Sequence, residues 1–484
     1  MSSRKILIVG GGITGLTLCH EIQRLAPATR ILLCEKSSRL GGWLHTAKYD
    51  DARYETGPRS LNRIKGQLTL QLCDRLGLSD KIIPASQASN VRYIVAMDGK
   101  IHPLPSSLIQ MFKSPLTKAM PLHAIRDLLW PKAPTSGDIS VDHFFRERLG
   151  PETTDLLISA MTAGIYSGDP SRLSMRSCFP AVADIAVESK SLVRGLLKQA
   201  FVRPHQPPCT IDSPNWTRIQ QRLGKASMYS LIGGLSTLNE TLEDGIRSCQ
   251  NTTVLTDVEV TSICTRDLRV RFDNGNSDNF DIVYHTGRLN SLSSTLSESS
   301  SLKSLLDTVH YASLAVVSFG WRKDIGVPKG FGVLVPKCVI EAPQILGITF
   351  DSRTFPGHVP NGYSHVTVMM GGDRHPALVN TGDSNLTAIA LDAVKCLLGI
   401  SAEPDFKSVD IAREAIPQFY VGHGTLIRDI LCEASRLNKN LKIMGTAISG
   451  VSINDCIKAA TTEALDFANG MPGRTTPEYN FANV

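Results

Sequence analysis

An α/β fold joined to an α+β part is what this 484-residue sequence predicts, and three observations predict it. A strand, a glycine-rich turn, a helix and a second strand follow one another in the first 35 residues. Short apolar runs separated by Gly and Pro fill residues 311–370, as in an antiparallel-rich sheet. Between them, helical patterns dominate to about residue 204, which marks an inserted helical module.

Lys5-Ile-Leu-Ile-Val9 carries the continuous apolar run 6–9 of a strand. The turn Gly10-Gly-Gly-Ile-Thr-Gly15 ends it, Leu16, Leu18, Cys19, Ile22 and Leu25 recur at helical spacing, and 31–34 is the second strand. This βαβ unit crosses over right-handed into a Rossmann-like parallel sheet. After residue 90, Pro103, Pro105, Pro115, Pro121, Pro131 and Pro134 punctuate short apolar segments. The α/β pattern resumes from Tyr229, with the Gly233-Gly234 turn, a helix through Leu235, Leu238, Leu242 and Ile246, and β-type alternation over 254–263. Runs at 312–319, 332–335, 345–350 and 365–370 build the second, mixed sheet, and 441–444, Gly445, Gly450 and a helix over 454–469 return to the first. The expected domains are 1–90 with 226–290 and 435–484, then 91–105 with 205–225 and 291–434, and a helical module over 106–204.

Composition excludes several classes. The net charge of +6 is too mild for a nucleic-acid binder, and the cations Lys190, Arg194, Lys198, Arg203, Arg218, Arg222 and Lys225 read as a solvated face. Eleven cysteines without a C-x-x-C pair read as reduced intracellular thiols. No H-E-x-x-H or Cys/His cluster supports a metal. No run of 18 apolar residues predicts a membrane span, and the apolar run at 6–9 begins too early for a cleavable presequence to precede it.

Gly10-x-Gly12-x-x-Gly15 lies between strand and helix, and the acid Glu35 ends the next strand, 20 residues beyond Gly15. These are the contextual features of a dinucleotide fingerprint. Gly10 permits the tight turn, Gly12 lets the backbone approach a pyrophosphate at the helix start, and Gly15 allows helix and sheet to pack closely. Glu35 accepts the ribose hydroxyls. Gly11, Ile13 and Thr14 complete the turn. Both common dinucleotides share this pattern.

Further stretches carry a resemblance. Arg39-Leu-Gly-Gly-Trp43, directly after Glu35, resembles the Arg-x-Gly-Gly segment that wraps the phosphates in glutathione-reductase-like flavoproteins. With 35–43, Gly57-Pro-Arg-Ser60, Leu149-Gly-Pro151, Gly164-Ile-Tyr-Ser-Gly-Asp169, 173–180, 330–336 and Gly450-Val-Ser-Ile-Asn-Asp-Cys456, the chain resembles the eukaryotic protoporphyrinogen oxidases of the flavin amine oxidase superfamily. The resemblance implies one non-covalent FAD per chain and six-electron oxidation of protoporphyrinogen IX by O2, with H2O2 released. It implies FAD contacts from the glycine turn, Glu35, Lys36, Arg39, Gly42, Trp43, Gly57, Pro58, Arg59, Ser60, Val258, Thr446, Val451, Ser452 and Ile453. The turn over 445–456 should bring backbone N–H groups near the flavin ring, with a helix N-terminus favouring the charge of its reduced form.

For the substrate, the resemblance implies that Arg59 and Arg92 hold propionates, that Leu334 and Phe355 sandwich the ring, and that Gly164 presents backbone to it. The reaction needs no strong acid or base, so positioning dominates. Ser60, where many relatives have Gly, and 283–288, more polar than its counterpart, depart from the pattern. Two apolar clusters, Leu108, Ile109, Met111 and Phe112, then Leu122, Ile125, Leu128 and Leu129, read either as a helical core or as an interfacial surface. The resemblance favours the second: peripheral attachment to the intermembrane-space side of the mitochondrial inner membrane. It also implies a homodimer and contact with ferrochelatase. Two rivals remain at this stage, another amine oxidase-type enzyme and a non-enzymatic carrier like the GDP-dissociation inhibitors.

Overall fold

The computed structural model describes residues 4–106, 108–130, 137–201, 215–297 and 301–470. The chain divides into two compact units. One holds the described residues within Met1–Ala85, Asp212–His310 and Thr425–Glu478, the other those within Ser86–Ile211 and Tyr311–Gly424.

The first unit is built on five parallel strands: β1 (Lys5–Val9), β2 (Arg30–Cys34), β3 (Thr252–Leu255), β4 (Ile282–His285) and β5 (Leu441–Ile443). Their spatial order is β3-β2-β1-β4-β5. Parallel neighbours need long crossovers, and helices cover the sheet accordingly: α1 (Ile13–Leu25), α2 (Ser236–Arg247) and α3 (Ile453–Ala468). Ile6 and Ile8 of the central strand share one core with Leu16, Leu18 and Ile22 of α1, Leu238, Leu242 and Ile246 of α2, and Ile457, Ala460 and Ala464 of α3. Burying each aliphatic side chain contributes roughly 1.5–3 kcal/mol, which holds the helices against the sheet without specific bonds.

The structure departs from expectation after β3 and at the domain boundaries. The alternation over 254–263 is not one strand: β3 stops at Leu255, and Val260–Ile263 joins a separate antiparallel sheet with Arg269–Phe272 and Ser277–Asn279. Asp257 takes a φ of 55° between them, and the amides of Asp257 and Val258 turn back to the carbonyls of Ser37 and Glu35, each at 3.1 Å. The expected domain boundaries also shift. The helix Trp216–Leu223 belongs to the first unit, because Ile219 and Leu223 pack with Tyr229 and Leu231 in its core. Residues 291–297, 301–310 and 425–434 lie in that unit too, whereas 86–90 lie in the second. Residues 205–214, and Arg203 with them, lie outside the described residues.

The second unit carries a seven-stranded sheet in the order Phe406–Pro417, Tyr311–Trp321, Ser364–Gly371, Gly347–Thr349, Gly332–Leu334, Tyr93–Val95, Ile101–Pro103. All neighbours are antiparallel except Gly332–Leu334 with Tyr93–Val95. Helix Asp383–Leu398 buries Leu386, Ala390, Ala393 and Val394 in the core of this sheet. The helices of 106–201 belong to the same unit and do not form a third.

Three of those helices are tied by a buried ion pair. Arg148 on Val141–Leu149 donates to Asp127 on Met120–Leu129 at 2.9 Å, and both side chains are almost wholly buried. The other Asp127 oxygen accepts the Ser191 hydroxyl at 2.7 Å and the Val193 amide at 3.0 Å, which caps the helix Leu192–Phe201. A π-helical turn, Thr154–Ile158, leads into the helix Ser159–Tyr166; such turns recur at functional sites. Among the described residues no helix is long and apolar enough to cross a membrane.

Candidate functional site

The carboxyl end of the parallel sheet gathers the predicted glycines. β1 gives way to Gly10, whose φ of 106° suits only glycine. The Thr286 hydroxyl after β4 lies 3.0 Å from the carbonyls of both Val9 and Gly10. A Cβ on Gly15 would collide with the Gly10 carbonyl, and one on Gly11 with the Leu40 side chain. Gly12 differs: a Cβ there would meet nothing within 4 Å. Gly12 is also the N-cap of α1 and supplies no side-chain cap, so the first-turn amides face that open side. A helix start with free N–H groups beside an open glycine is the setting a phosphate needs.

Glu35 closes the turn from the other strand. Its Oε2 accepts the Gly11 amide at 2.8 Å, and its Oε1 accepts the Ser37 amide at 2.9 Å and hydroxyl at 2.7 Å. Its own amide donates to Leu255 at 2.9 Å, and its carbonyl accepts from Val258. The predicted Val258 is therefore drawn to the acid by its backbone. Gly41 donates to the Gly11 carbonyl at 2.8 Å, which lays the Arg39-Leu-Gly-Gly segment across the glycine turn and brings Gly42 to Gly12. Lys36, Arg39 and Gly42 are exposed, and Arg39 reaches the Leu40 carbonyl at 3.3 Å.

Trp43 packs against Gly57, where a Cβ would lie 2.9 Å from its ring. The buried Trp43 Nε1–H has no acceptor among the described residues, which leaves a donor in place for a bound group. Pro58, Arg59 and Ser60 follow, half-buried, with the Ser60 hydroxyl 3.8 Å from Met228 Sδ.

At the other end of the chain, Gly445 (φ 116°) abuts the Thr286 carbonyl and Gly450 (φ 118°) abuts Asp455. Thr446, Val451, Ser452 and Ile453 lie on this turn. The start of α3 carries more than the predicted free amides: Ser452 and Asp455 form a reciprocal capping box, with the Asp455 amide donating to Ser452 Oγ at 3.1 Å. The chain thus places its own carboxylate at this helix terminus. The thiol of Cys456 is buried, 3.9 Å from the Gly450 carbonyl, and burial pushes it up to about 11.

The polar departure at 283–288 is absorbed locally. The Tyr284 hydroxyl donates to Glu463 of α3 at 3.0 Å, and burial raises that carboxyl above its usual range. His285 is buried on the other face, 3.3 Å from Ser291 Oγ, and loss of solvent lowers it to about 4.

In the second unit, Gly164 lies exposed in the last turn of the helix Ser159–Tyr166, and Leu334 is half-buried against it. Phe355 is buried, its ring 5.4 Å from that of His358. Arg92 is exposed and stacks over Phe331 at 5.9 Å. Gly347 stands opposite Leu334 across a strand pair, a pairing that only the register reveals.

A five-stranded parallel sheet with a glycine turn, an open helix start and an acid on the second strand defines a dinucleotide-binding protein, and the donors present fit a flavin dinucleotide. The chain belongs to the flavin containing amine oxidoreductase family, whose model matches residues 13–466. It is 30% identical to protoporphyrinogen oxidase of Bos taurus, over 95% of this chain and 98% of that one. The protoporphyrinogen oxidase of Schizosaccharomyces pombe is 29% identical, over 96% of this chain and 99% of its own. A crystal structure from Exiguobacterium sp. 255-15 superposes with a TM-score of 0.81 at 23% identity, over 97% of this chain and all of that one, and shows the same fold. The family assignment sets aside the non-enzymatic carrier: the chain is a flavin-dependent oxidoreductase.

Proposed function

We propose that this chain is a protoporphyrinogen oxidase, which removes six electrons from protoporphyrinogen IX in three two-electron steps and reduces three O2 to H2O2. The observation that carries this reading is the end-to-end agreement with relatives of that name, from the glycine turn to the last helix. One FAD, held non-covalently, supplies the acceptor for each hydride when bound. The open side of Gly12 and the first turn of α1 would hold its pyrophosphate, and Glu35 would hold a ribose hydroxyl through Oε2, which keeps one lone pair beyond that used by Gly11, while Ser37 takes both on Oε1. The buried, protonated thiol of Cys456 is unsuited to covalent attachment, which supports non-covalent binding.

By the same resemblance, the planar fork of Arg59 takes one propionate through two parallel hydrogen bonds and Arg92 a second. Leu334 and Phe355 bear on the ring, and Gly164 lets backbone approach it. Positioning a methylene bridge for hydride loss is then the chain's main contribution.

Peripheral attachment to the mitochondrial inner membrane, on its intermembrane-space side, is supported by the helix Met120–Leu129. Leu122, Ile125 and Leu129, with Trp130, are 73, 51, 57 and 67% exposed, and Lys118 and Arg126 are exposed beside them. An apolar face flanked by cations is what an anionic bilayer surface attracts. The side chains of Leu108, Ile109 and Phe112 lie outside the described residues. Homodimer formation and contact with ferrochelatase rest on the resemblance alone.

The test is direct. Purified protein should be yellow and should generate fluorescent protoporphyrin from protoporphyrinogen IX above the rate of autoxidation, with one H2O2 per electron pair. A yellow protein that oxidises amines and leaves the porphyrinogen untouched would establish the other amine oxidase-type reading. Vesicles containing anionic lipid should retain the protein, less so as salt rises; no retention at any salt removes the membrane reading.

A further inference from the structure

Leu334 is gripped from two directions by residues that have no side chain. Across the antiparallel pair of strands it stands opposite Gly347, where a Cβ would lie 3.0 Å from Leu334 Cδ2 and 2.5 Å from the Val333 carbonyl oxygen. From the helix Ser159–Tyr166 comes Gly164, where a Cβ would lie 2.9 Å from Cδ2 and 3.2 Å from Cδ1 of the same leucine. Neither glycine adopts a left-handed backbone conformation, so an L-residue could follow the same chain path at both positions. What excludes a side chain there is space. At Gly164 every close neighbour is the end of the Leu334 side chain. An added methyl would therefore turn Leu334 into another rotamer rather than deform the backbone.

We propose that Gly164 and Gly347 form a clamp that fixes the Leu334 rotamer, and that this clamp determines specificity for the porphyrinogen. Gly347 becomes a specificity-determining residue, and a methyl at Gly164 acts through Leu334 alone, because it points at that side chain and leaves the exposed backbone free. The proposal rests on the reading that Leu334 bears on the substrate ring. The half-buried leucine presents part of its surface outward, and the two glycines decide which part. A ring that changes from puckered porphyrinogen to flat porphyrin during the reaction is sensitive to such a surface, because apolar pockets discriminate by fit.

The test is a double-mutant cycle on the FAD-loaded enzyme. Gly164→Ala should raise KM for protoporphyrinogen IX by about tenfold, with kcat within about threefold and the thermal midpoint little changed, as for residues coupled by direct contact. Leu334→Ala should raise KM as well, and the double variant should be no worse than Leu334→Ala alone, since the added methyl then has nothing to displace. Gly347→Ala should show the same KM pattern at some loss of stability, because its methyl also presses on the Val333 carbonyl. If Gly347→Ala does not fold, the Gly164 and Leu334 cycle decides alone. Multiplicative effects in the double variant, with Leu334→Ala itself raising KM, would overturn the clamp and leave the substrate reading intact. An unchanged KM in Leu334→Ala would instead remove Leu334 from the substrate contacts.

Discussion

The Glu35 carboxylate accepts the Gly11 amide at 2.8 Å, so the acid that ends β2 and the turn that ends β1 form one hydrogen-bonded object. The residue expected to bind a ribose also holds the glycine turn in shape, and its other oxygen is met by two donors from Ser37.

Replacing Glu35 with glutamine should therefore do more than remove a charge. Whichever way the amide is turned, its NH2 faces either the Gly11 or the Ser37 amide, both donors, at a cost of about 1–3 kcal/mol. Glu35→Gln should lower FAD affinity at least tenfold and depress the thermal midpoint of the apoprotein. Equilibrium dialysis of FAD with calorimetry checks both, and unaltered affinity would remove Glu35 from the site.

The glycines should separate by role. Gly15→Ala drives a methyl into the Gly10 carbonyl and should destabilise the apoprotein by roughly 1–3 kcal/mol. Gly12→Ala meets open space at an ordinary φ of −71°, so the apoprotein should melt normally but take up little FAD. Chemical denaturation of both apoproteins, beside their flavin content, distinguishes the two; a normal flavin content in Gly12→Ala would contradict the assignment.

Acid should weaken the first unit through His285. Its folded-state pKa, about 4, lies below the unfolded value of 6.5, so between those values the unfolded chain binds the extra proton. Stability then falls as pH drops from 6.5 towards 4, by an amount of order 3 kcal/mol from this group, and is unaffected by it above 6.5. Denaturation midpoints measured from pH 4 to 7 should lose this slope in His285→Leu. An equally steep slope in that variant would show that other groups cause it.

Cutting one half of the Asp127 and Arg148 pair should be severe. Asp127→Ala leaves a buried guanidinium without its carboxylate and frees the Ser191 and Val193 donors, a loss of about 3–5 kcal/mol. The double change Asp127→Leu with Arg148→Met should recover most of it. Limited proteolysis within 120–130 reports the loosening, and a wild-type cleavage rate in Asp127→Ala would argue against this tie.

Much of the first unit was legible because its signals are local. The apolar run of β1, the glycine spacing and the distance to Glu35 are written in consecutive residues, and Leu238, Leu242 and Ile246 mark the buried face of α2. Other features depend on register or on distant packing. The strand Phe406–Pro417 carries Lys407, Asp410, Arg413 and Glu414 along an edge, so it lacks the apolar alternation of an inner strand. The break at Asp257 is made by contacts with residues 35 and 37, far away in sequence. Trp216–Leu223 shows an amphipathic pattern, but nothing in it names the core it joins. The opposition of Leu334 and Gly347 is invisible until the strands are aligned.

The reciprocal bonds of Ser452 and Asp455 mean that two donors at the start of α3 are met before any prosthetic group arrives. A preparation stripped of its yellow colour would keep that edge intact, and reloading would require adjustment chiefly at the other terminus, where Gly12 and Trp43 still offer unused donors. Recovery of holoprotein should then be a simple docking event, fast and reversible, with no slow refolding phase.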